Sequence, residues 1–343
     1  MQKVRWGILG VARIATQKVI PAMQRGEWSE VVGIASRDRT KAERAAGELG
    51  IQKAYGTYAE MLADPEIECV YNPLPNHLHV PVSIQAAEAG KHVLCEKPIG
   101  MGVADTLELI AARDRTGVII GEAFMVATHP QWLRVIDLVR SGRIGQPRSA
   151  IASFGYNNVD SKNIRNIAEY GGGALMDIGC YPIKTSRMVF GEEPVRVAGT
   201  VLHDPRFRTD VLTSAILEYP SGHCIFSCST QSVANQSFQF IGTTGRIEVD
   251  IPFNAIPGER MLLRIDDGSD LRRSGVVVEE VEACDQYTIQ GDLFSRAVRK
   301  AGMPPVSLED SLRNMAVIEA VFQSAQTGRW EHPEAVLQAA AKR

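Results

Sequence analysis

The first candidate for chemistry is a turn of small residues near the N-terminus. Gly10, Ala12 and Ala15 occupy its small positions, and Arg13 and Ile14 stand between the two alanines. Small residues permit a tight strand-to-helix turn. They also let the backbone approach a pyrophosphate, which the free N–H groups of a helix N-terminus stabilise. The spacing therefore predicts a dinucleotide-binding turn; the alternative is an ordinary tight turn, because alanine replaces two of the usual glycines.

A second group follows the next apolar run and consists of Ser36, Arg37 and Asp38, with Lys41 one turn later. NAD enzymes usually carry an acidic residue here to hold the ribose hydroxyls. Ser36 can donate a hydrogen bond to a 2′-phosphate, and Arg37 can pair with that phosphate or stack on the adenine. Asp38 could bind the ribose, but it more naturally caps the following helix. We therefore expect NADP rather than NAD.

A third group contains Asp177 and Tyr181, which follow the glycine run 171–173. Residues four apart on a helix share one face, so the carboxylate and the phenol are expected to lie near each other. A carboxylate can hold a hydroxyl, and a phenol can exchange a proton. When nothing else supports it, such a pair more often contributes to packing than to catalysis. For the glycine run, the alternative is that it serves only as a flexible entry to the helix.

Two patterns of predicted strands and helices along the sequence indicate which elements carry these groups. Up to about residue 122, short apolar runs alternate with helix-like stretches, which is typical of a parallel sheet covered on both faces. The expected strands of this part are Val4–Leu9, Val31–Ser36, Glu68–Tyr71, His92–Glu96 and Val118–Glu122. Beyond it, strands follow one another with few helices between them. The expected strands there are Arg148–Tyr156, Val195–Val201, Val211–Tyr219, Cys224–Thr230, Ser237–Ile241 and Arg246–Ile251.

The predicted fold class is therefore α/β, with two domains. Residues 1–122 form an NADP-binding Rossmann domain with a doubly wound parallel sheet. Residues 123–343 form an α+β domain with an open, mostly antiparallel sheet for substrate binding and oligomerisation.

Composition excludes several function classes. The formal net charge is −3, which argues against a nucleic-acid-binding or polybasic membrane surface. No apolar run is long enough to span a membrane. The six cysteines show no zinc-site spacing and suit a reducing compartment, so we expect a cytoplasmic protein without a metal.

Two further motifs make the pattern specific. Asn72-Pro73-Leu74-Pro75-Asn76-His77-Leu78-His79 follows the third strand, and Glu96-Lys97-Pro98 follows the fourth. Together with the Gly10 turn and the run from Gly171 to Pro182, they resemble the glucose–fructose oxidoreductase/inositol dehydrogenase (Gfo/Idh/MocA) family. The likeness covers nearly the whole chain and is nearest the branch of NADP-dependent xylose and dihydrodiol dehydrogenases.

The resemblance implies roles for individual residues. Lys97 matches the catalytic lysine, before a peptide bond that is often cis in the family. Asp177 matches a residue that holds a substrate hydroxyl, and Tyr181 matches the proton donor and acceptor. Further positions implied at the cofactor, besides those of the Gly10 turn and the Ser36 group, are Pro73, Leu74, Asn76, His79, Glu96, Lys97, Arg165 and Tyr287.

Some positions keep two interpretations. Asn163 matches a position near substrate but can equally lie in a solvated loop, and Asn76 can cap the helix that follows it. Residues Val126–Thr128 depart from the Tyr-Arg-Phe common in the family, which changes the expected substrate pocket.

The expected function is NADP-dependent hydride transfer to or from a sugar or polyol-like substrate, with Tyr181 as general acid/base assisted by Lys97. The alternatives are a non-catalytic NADP-binding sensor, and a sugar–sugar oxidoreductase that retains its nucleotide. Retention of Lys97, Asp177 and Tyr181 argues against the sensor. Because one face of the second sheet needs a cover, and family members commonly pair these faces, we expect a homodimer or homotetramer.

Overall fold

The structure of the chain is a computed structural model that describes residues 2–342. The chain divides into two compact units. The first runs through Met125 and includes Asp285–Leu312, and the second consists of Val126–Cys284 and the chain from Arg313 onwards. Among the described residues, no helix is both long and apolar enough to cross a membrane.

The first unit is built on a parallel sheet. Within residues 2–342, its six strands are β1 Val4–Leu9, β2 Ser29–Ala35, β3 Lys53–Tyr55, β4 Cys69–Asn72, β5 His92–Glu96 and β6 Ile120–Ala123. They lie in the order β3-β2-β1-β4-β5-β6 and pair in parallel throughout. This is the doubly wound arrangement, so the predicted Rossmann fold is confirmed. The prediction missed β3, which has three half-exposed residues and no buried apolar run.

Helices cover this sheet. Those of the first unit are α1 Ile20–Gln24, α2 Arg39–Leu49, α3 Tyr58–Leu62, α4 His79–Glu88, α5 Val103–Thr116 and, late in the chain, α8 Gln286–Val298. A π-helical turn, Ala15–Val19, precedes α1, and a 3₁₀ turn, Asn76–Leu78, precedes α4.

Helix α8 belongs to the first unit because its residues complete that core. The Trp6 indole N–H donates to Ser295 Oγ at 3.0 Å, and its ring lies 5.6 Å from that of Phe294. Asp292 accepts the backbone N–H groups that precede β2. The predicted limits 1–122 and 123–343 follow sequence order alone and stay a prediction. The compact units depart from them by returning residues 285–312 to the first unit.

The second unit contains a large mixed sheet. Its eight strands in the described part of the chain are β7 Pro147–Asn157, β8 Arg196–His203, β9 Asp210–Glu218, β10 His223–Ser229, β11 Gln231–Gly242, β12 Arg246–Val249, β13 Met261–Asp266 and β14 Val276–Val281. The order is β14-β13-β12-β11-β7-β10-β9-β8, antiparallel except between β10 and β7. The predicted mostly antiparallel sheet is confirmed. The prediction missed β13 and β14, which pair across a charged nine-residue connection.

The second unit also contains helices. They are α6 Pro130–Arg140, α7 Cys180–Phe190 and α10 Pro333–Ala341, and α9 Leu308–Thr327 continues into this unit from the first. A π-helical turn, Leu175–Gly179, leads into α7. The rings of Trp132, Phe154, Phe238 and Phe253 pack together in the core. Strand β9 alternates buried and exposed residues, so its opposite face is exposed.

Candidate active site

The Gly10 turn has the geometry of a phosphate-binding loop. Gly10 lies directly after β1 with φ +95°, and an added Cβ would lie 2.9 Å from Leu74 Cδ2. Its N–H donates to Ala35 O at 2.8 Å, which ties the turn to the end of β2. A side chain would be strained here and would clash, so the glycine keeps the backbone open to a close ligand. Ala12 and Ile14 are half-buried and Arg13 is exposed.

The residues after β2 fit a phosphate better than a ribose diol. Asp38 Oδ1 accepts the Lys41 backbone N–H at 3.3 Å and caps α2. Arg37 is exposed. Burial raises the pKa of Tyr58, and the nearby charge of Arg37 opposes that rise. Ser36 lies beside them, half-buried. The group therefore offers a hydroxyl and cationic side chains, and its one carboxylate is engaged in the helix cap.

The sequence analysis missed Tyr58. Its hydroxyl lies near both Arg37 and the position that a Cβ on Gly10 would occupy, at 3.8 Å from the latter. Recognition of the short strand β3 would have allowed Tyr58 to be predicted, because the first helical residue after that strand lies at the carboxyl edge of the sheet.

The loop after β4 is braced from within. Asn72 is fully buried, and its amide donates to His79 O and Ser83 Oγ, each at 3.0 Å. Its side-chain oxygen accepts the Leu74 N–H at 3.3 Å. Pro73 is buried and Asn76 begins the 3₁₀ turn before α4. The loop is therefore held in one conformation by its own strand.

His79 joins this loop to the segment after β5. Its Nδ1 lies 2.7 Å from Pro98 O and its Nε2 lies 2.6 Å from Leu74 O. Burial lowers the pKa of His79 to about 4, although both carbonyl contacts oppose that shift. The Lys97–Pro98 peptide bond is cis, as the resemblance implies. His79 is fully buried, so in this structure it positions the two loops.

Glu96 and Lys97 stand at the end of β5, both half-buried. The Tyr71 hydroxyl donates to Glu96 Oε1 at 2.5 Å. Burial raises the pKa of Tyr287, and the charge of Glu96 raises it further. Tyr287 lies within the predicted second domain, residues 123–343. It lies instead in α8 of the first unit, because that helix packs on the first core.

In the second unit, the carboxylate of Asp177 receives two strong donors. Tyr156 donates its hydroxyl to Asp177 Oδ2 at 2.6 Å, and Arg165 Nε donates to the same oxygen at 2.8 Å. Burial and the charge of Asp177 raise the pKa of Tyr156. The same carboxylate raises the pKa of Arg165. Tyr156 therefore stays a donor and Arg165 a cation at neutral pH.

The segment that carries Asp177 is fixed from behind by Asp210. Asp210 is 3% exposed, and its Oδ2 accepts the Leu175 N–H at 2.7 Å and the Thr213 hydroxyl at 2.9 Å. Gly173 has φ +123°, and an added Cβ would lie 1.8 Å from Asp210 Oδ1. Gly173 is therefore required by this close approach to Asp210 and is more than a flexible helix entry.

Tyr181 lies in the first turn of α7, one turn after Asp177. It is 5% exposed, and its ring packs against Phe154 and Phe253 at 5.6 and 5.4 Å. Asn163 is half-buried, and its side chain accepts the Arg165 N–H at 3.1 Å, which begins the turn Ile164–Asn166.

The structure thus gathers the expected residues into two groups, one in each unit. Tyr58, Tyr156 and Asp210 are the additions that sequence reasoning missed. Among the described residues, no cluster of three or more His, Cys, Asp or Glu side chains could hold a metal ion.

Comparison with known proteins gives a family match in each half of the chain. Residues 4–124 match the oxidoreductase family with an NAD-binding Rossmann fold, and residues 132–248 match the C-terminal domain of the Gfo/Idh/MocA proteins. An uncharacterised oxidoreductase of Rhizobium meliloti is 48% identical over 96% of this chain and 99% of its own length.

Two characterised relatives are also similar over nearly their whole length. The D-xylose 1-dehydrogenase (NADP⁺) 2 of Haloferax volcanii is 37% identical over 94% of this chain and 98% of its own. A crystal structure of a 3-ketoreductase from Actinomadura kijaniata, in complex with NADP and TDP-benzene, superposes with a TM-score of 0.88. It is 30% identical and covers 94% of this chain and 98% of that one.

The sequence motifs, both domain matches and relatives that span almost the whole chain lead to one conclusion. The chain belongs to the Gfo/Idh/MocA family of NAD(P)-dependent oxidoreductases.

Proposed function

We propose that the chain is an NADP-dependent oxidoreductase that transfers hydride between the nicotinamide and a sugar or polyol-like alcohol or carbonyl. The observation that carries this proposal is the Asp177 carboxylate, held by Tyr156 and Arg165 one helical turn before Tyr181. The named activity of the Haloferax volcanii relative, a xylose dehydrogenase that uses NADP, supports the substrate class.

The first unit supplies the residues for cofactor binding. The Gly10 turn, with Ala12, Arg13 and Ile14, would hold the pyrophosphate. The 2′-phosphate would be recognised by Ser36, Arg37 and Lys41, since a hydroxyl and two cations suit a dianion. When bound, NADP supplies the nicotinamide carbon that accepts or donates the hydride.

Residues further along the first unit would lie along the nicotinamide half. These are Pro73, Leu74, Asn76, His79, Glu96 and Tyr287, and their support is the family resemblance and the bracing of the Asn72 loop. His79 would act from behind, by fixing Leu74 and Pro98.

Tyr181 would exchange the proton of the substrate hydroxyl. When an alcohol loses hydride from its carbon, its O–H proton must leave, and the phenolate oxygen of Tyr181 would accept it. A free tyrosine, with a pKa near 10, is a poor base at neutral pH. The ammonium of Lys97 would assist by favouring the phenolate, because a nearby positive charge stabilises the charged form.

Asp177 would hold a neighbouring hydroxyl of the substrate and thereby orient the carbon that reacts. The two donors on its Oδ2 support this role, because they fix the plane of the carboxylate. Arg165 would fix Asp177 and border the cofactor, and Asn163 would contact substrate through the same loop.

The second sheet would also carry the oligomer contact. Its outer face exposes Ile151, Leu212, Ile216 and Ile225, each at least 36% exposed. Pairing two such faces would remove this apolar surface from water, so we expect a homodimer or homotetramer. Sedimentation as a monomer at micromolar concentration would contradict this.

A substrate screen tests the proposed function. Aldoses and cyclic diols would be supplied with NADP or NAD, and nicotinamide reduction followed by absorbance. The proposal expects turnover with at least one sugar-like alcohol and a preference for NADP. Tight NADP binding without turnover of any substrate would indicate a sensor instead. Nucleotide that copurifies and exchanges hydride between two sugars would indicate the sugar–sugar oxidoreductase.

A further inference from the structure

A cavity of about 600 Å³ opens in the second unit between two turns. One turn contributes residues between Val159 and Glu169, and the other contributes Arg206, Phe207 and Arg208. We call it the arginine pocket. Its wall includes Asn166, which follows Arg165 in sequence, so the pocket borders the loop that holds Asp177.

The backbone at Arg208 is strained. Its φ is +60°, in the left-handed region that L-residues other than glycine, asparagine and aspartate rarely adopt. The Arg208 N–H donates to Asp204 O at 2.8 Å, which closes the turn and fixes this conformation. Glycine would adopt this backbone conformation at a lower free-energy cost. The strained arginine therefore indicates a role for its side chain at this position.

Arg206 and Phe207 form a second element of the pocket. The Arg206 guanidinium lies over the Phe207 ring at 4.8 Å. The turn beneath them is rigid, because the side chain of Asp204, 5% exposed, accepts the backbone N–H groups of both residues. Asp204 Oδ2 is also bonded by Gln231 at 2.8 Å, whereas Arg206 reaches it only at 3.3 Å. The pocket therefore offers a guanidinium and an aromatic face on a fixed support.

Asn166 supplies an independent observation. It is 3% exposed, and its amide nitrogen donates to Asn158 and Asp160. Its side-chain oxygen has no hydrogen-bond partner among the described residues. A buried acceptor without a donor is unfavourable, and a ligand hydroxyl could satisfy this oxygen only after the groups that cover it move.

The one acidic side chain in the wall is Glu169, which pairs with Arg208 at 2.6 Å. Both side chains are largely exposed, so this pair contributes little stability and can exchange partners readily. A dianionic ligand would replace Glu169 as the partner of Arg208 and would gain Arg206 as well.

From these observations we infer that the arginine pocket binds a phosphate group carried by the sugar substrate. The inference rests on the proposed function, which it deepens by naming the substrate class. The two guanidinium groups recognise the phosphate. The phosphate belongs either to a sugar phosphate or to a nucleoside diphosphate sugar, whose base would stack on Phe207.

Equilibrium binding tests the inference without any need for turnover. Calorimetric titrations would use glucose 1-phosphate and uridine diphosphate as probes, with NADP saturating so that the phosphate sites of the first unit are filled. Arg206→Gln and Arg208→Gln should each weaken both probes about tenfold, as loss of a charge-assisted hydrogen bond implies. Phe207→Leu should weaken uridine diphosphate alone if the source is a nucleotide sugar, and neither probe if it is a sugar phosphate.

The matched control is Arg260→Gln. Arg260 also forms a largely exposed pair at 2.6 Å, with Glu280, and this pair lies outside the pocket near β13 and β14, at the opposite end of the sheet from β8 and β9. Probe affinity should be unchanged in this variant, and circular dichroism melting checks that all variants fold. The inference is overturned if neither probe binds the wild type at millimolar concentration, or if both pocket variants bind as Arg260→Gln does. Failure of the proposed function would appear differently, as probe binding without turnover of any sugar, sugar phosphate or nucleotide sugar.

Discussion

The two groups of site residues are held in place by different means. In the first unit, Gly10 and Ser36 follow directly after β1 and β2, and Glu96 is the last residue of β5, so the parallel sheet alone brings them to one edge. In the second unit, Asp177 lies in a π-helical turn and depends on Tyr156 and Arg165, from a distant strand and a loop. The first group is thus a property of topology, and the second is a property of a few side-chain contacts.

This difference predicts where substitutions act. A change in the first group should alter cofactor binding, because those residues surround a backbone turn. A change in the second group should alter the chemical step or substrate orientation and leave cofactor affinity nearly unchanged. The following experiments test that separation.

The largest effect is expected for Tyr181→Phe. The substitution removes one hydroxyl and preserves the ring contacts with Phe154 and Phe253. The rate of hydride transfer should fall by about 10²–10⁴, the usual contribution of a positioned general acid or base. The measurement is single-turnover absorbance with saturating NADP, and NADP affinity should hardly change. Equal rates in wild type and variant would place the acid/base elsewhere.

The next largest effect is expected for Lys97→Met, which tests whether a residue of the first group also contributes to the rate of the chemical step. Loss of the ammonium should lower turnover by about 10²–10³, the range for removal of one preorganised electrostatic group. The alkaline limb of the pH profile should also move, because the charge that favours the phenolate is gone. An unchanged turnover number and pH profile would remove Lys97 from the mechanism.

The same contrast explains what the sequence could and could not predict. The central parallel strands are buried on both faces. Gly10 and Ser36 follow β1 and β2, and Asn72 and Glu96 end β4 and β5, so both strands and site residues were predictable from local patterns. Strand β3 lacks a buried run and was missed, and Tyr58 was missed with it. Tyr156 and Asp210 act on residues 21 and 35 positions away. The alternation of apolar and polar residues predicts the strands near these residues, but it cannot predict which distant segment each side chain contacts.

A comparison of two buried histidines gives the third prediction. Burial lowers the pKa of His79 in the first unit and of His129 in the second from 6.5 to about 4. The unfolded chain therefore takes up protons between these values while the folded chain does not. Stability contributed by neutral His79 is complete above pH 6.5 and is lost as the pH falls toward 4, by up to about 3 kcal/mol.

Urea unfolding at several pH values measures this loss. His79→Gln should remove the contribution of His79 to the slope of unfolding free energy against pH between pH 6.5 and 4. His129→Gln serves as the matched variant in the other unit. If the slope is unchanged in His79→Gln, the histidine is already protonated in the folded protein, and both carbonyl contacts are then hydrogen bonds that it donates.

The fourth prediction addresses the cofactor group alone. Arg37→Ala should weaken NADP by roughly 1.5–3 kcal/mol, the value of one charge-assisted hydrogen bond, and should weaken NAD much less. Equilibrium titration with both nucleotides measures the difference. Arg13→Ala is a useful comparison, because Arg13 is exposed beside the pyrophosphate turn and bonds Gln17. Equal losses for NADP and NAD in Arg37→Ala would show that Arg37 does not recognise the 2′-phosphate.

The smallest effect, and the sharpest test of the second group, is expected for Tyr156→Phe. The variant deletes the 2.6 Å donor to Asp177 Oδ2 and keeps the Arg165 contact. Loss of one hydrogen bond to a charged group implies about 1.5–3 kcal/mol at most, and the remaining ion pair reduces this to roughly a threefold to thirtyfold loss of kcat/KM. KM should rise and kcat should fall, since Asp177 orients the bound substrate before and during the reaction.

The matched control for Tyr156→Phe is Tyr219→Phe. Tyr219 is a buried tyrosine of the same unit, and its hydroxyl is hydrogen-bonded to Ser186 Oγ at 2.8 Å, so its removal costs a comparable hydrogen bond away from Asp177. That variant should lose stability and retain its kinetic constants, whereas Tyr156→Phe should lose activity with unchanged NADP affinity. If Tyr156→Phe instead weakened NADP as much as it slowed turnover, the separation between a cofactor group and a substrate group would fail. Asp177 would then belong with the cofactor contacts.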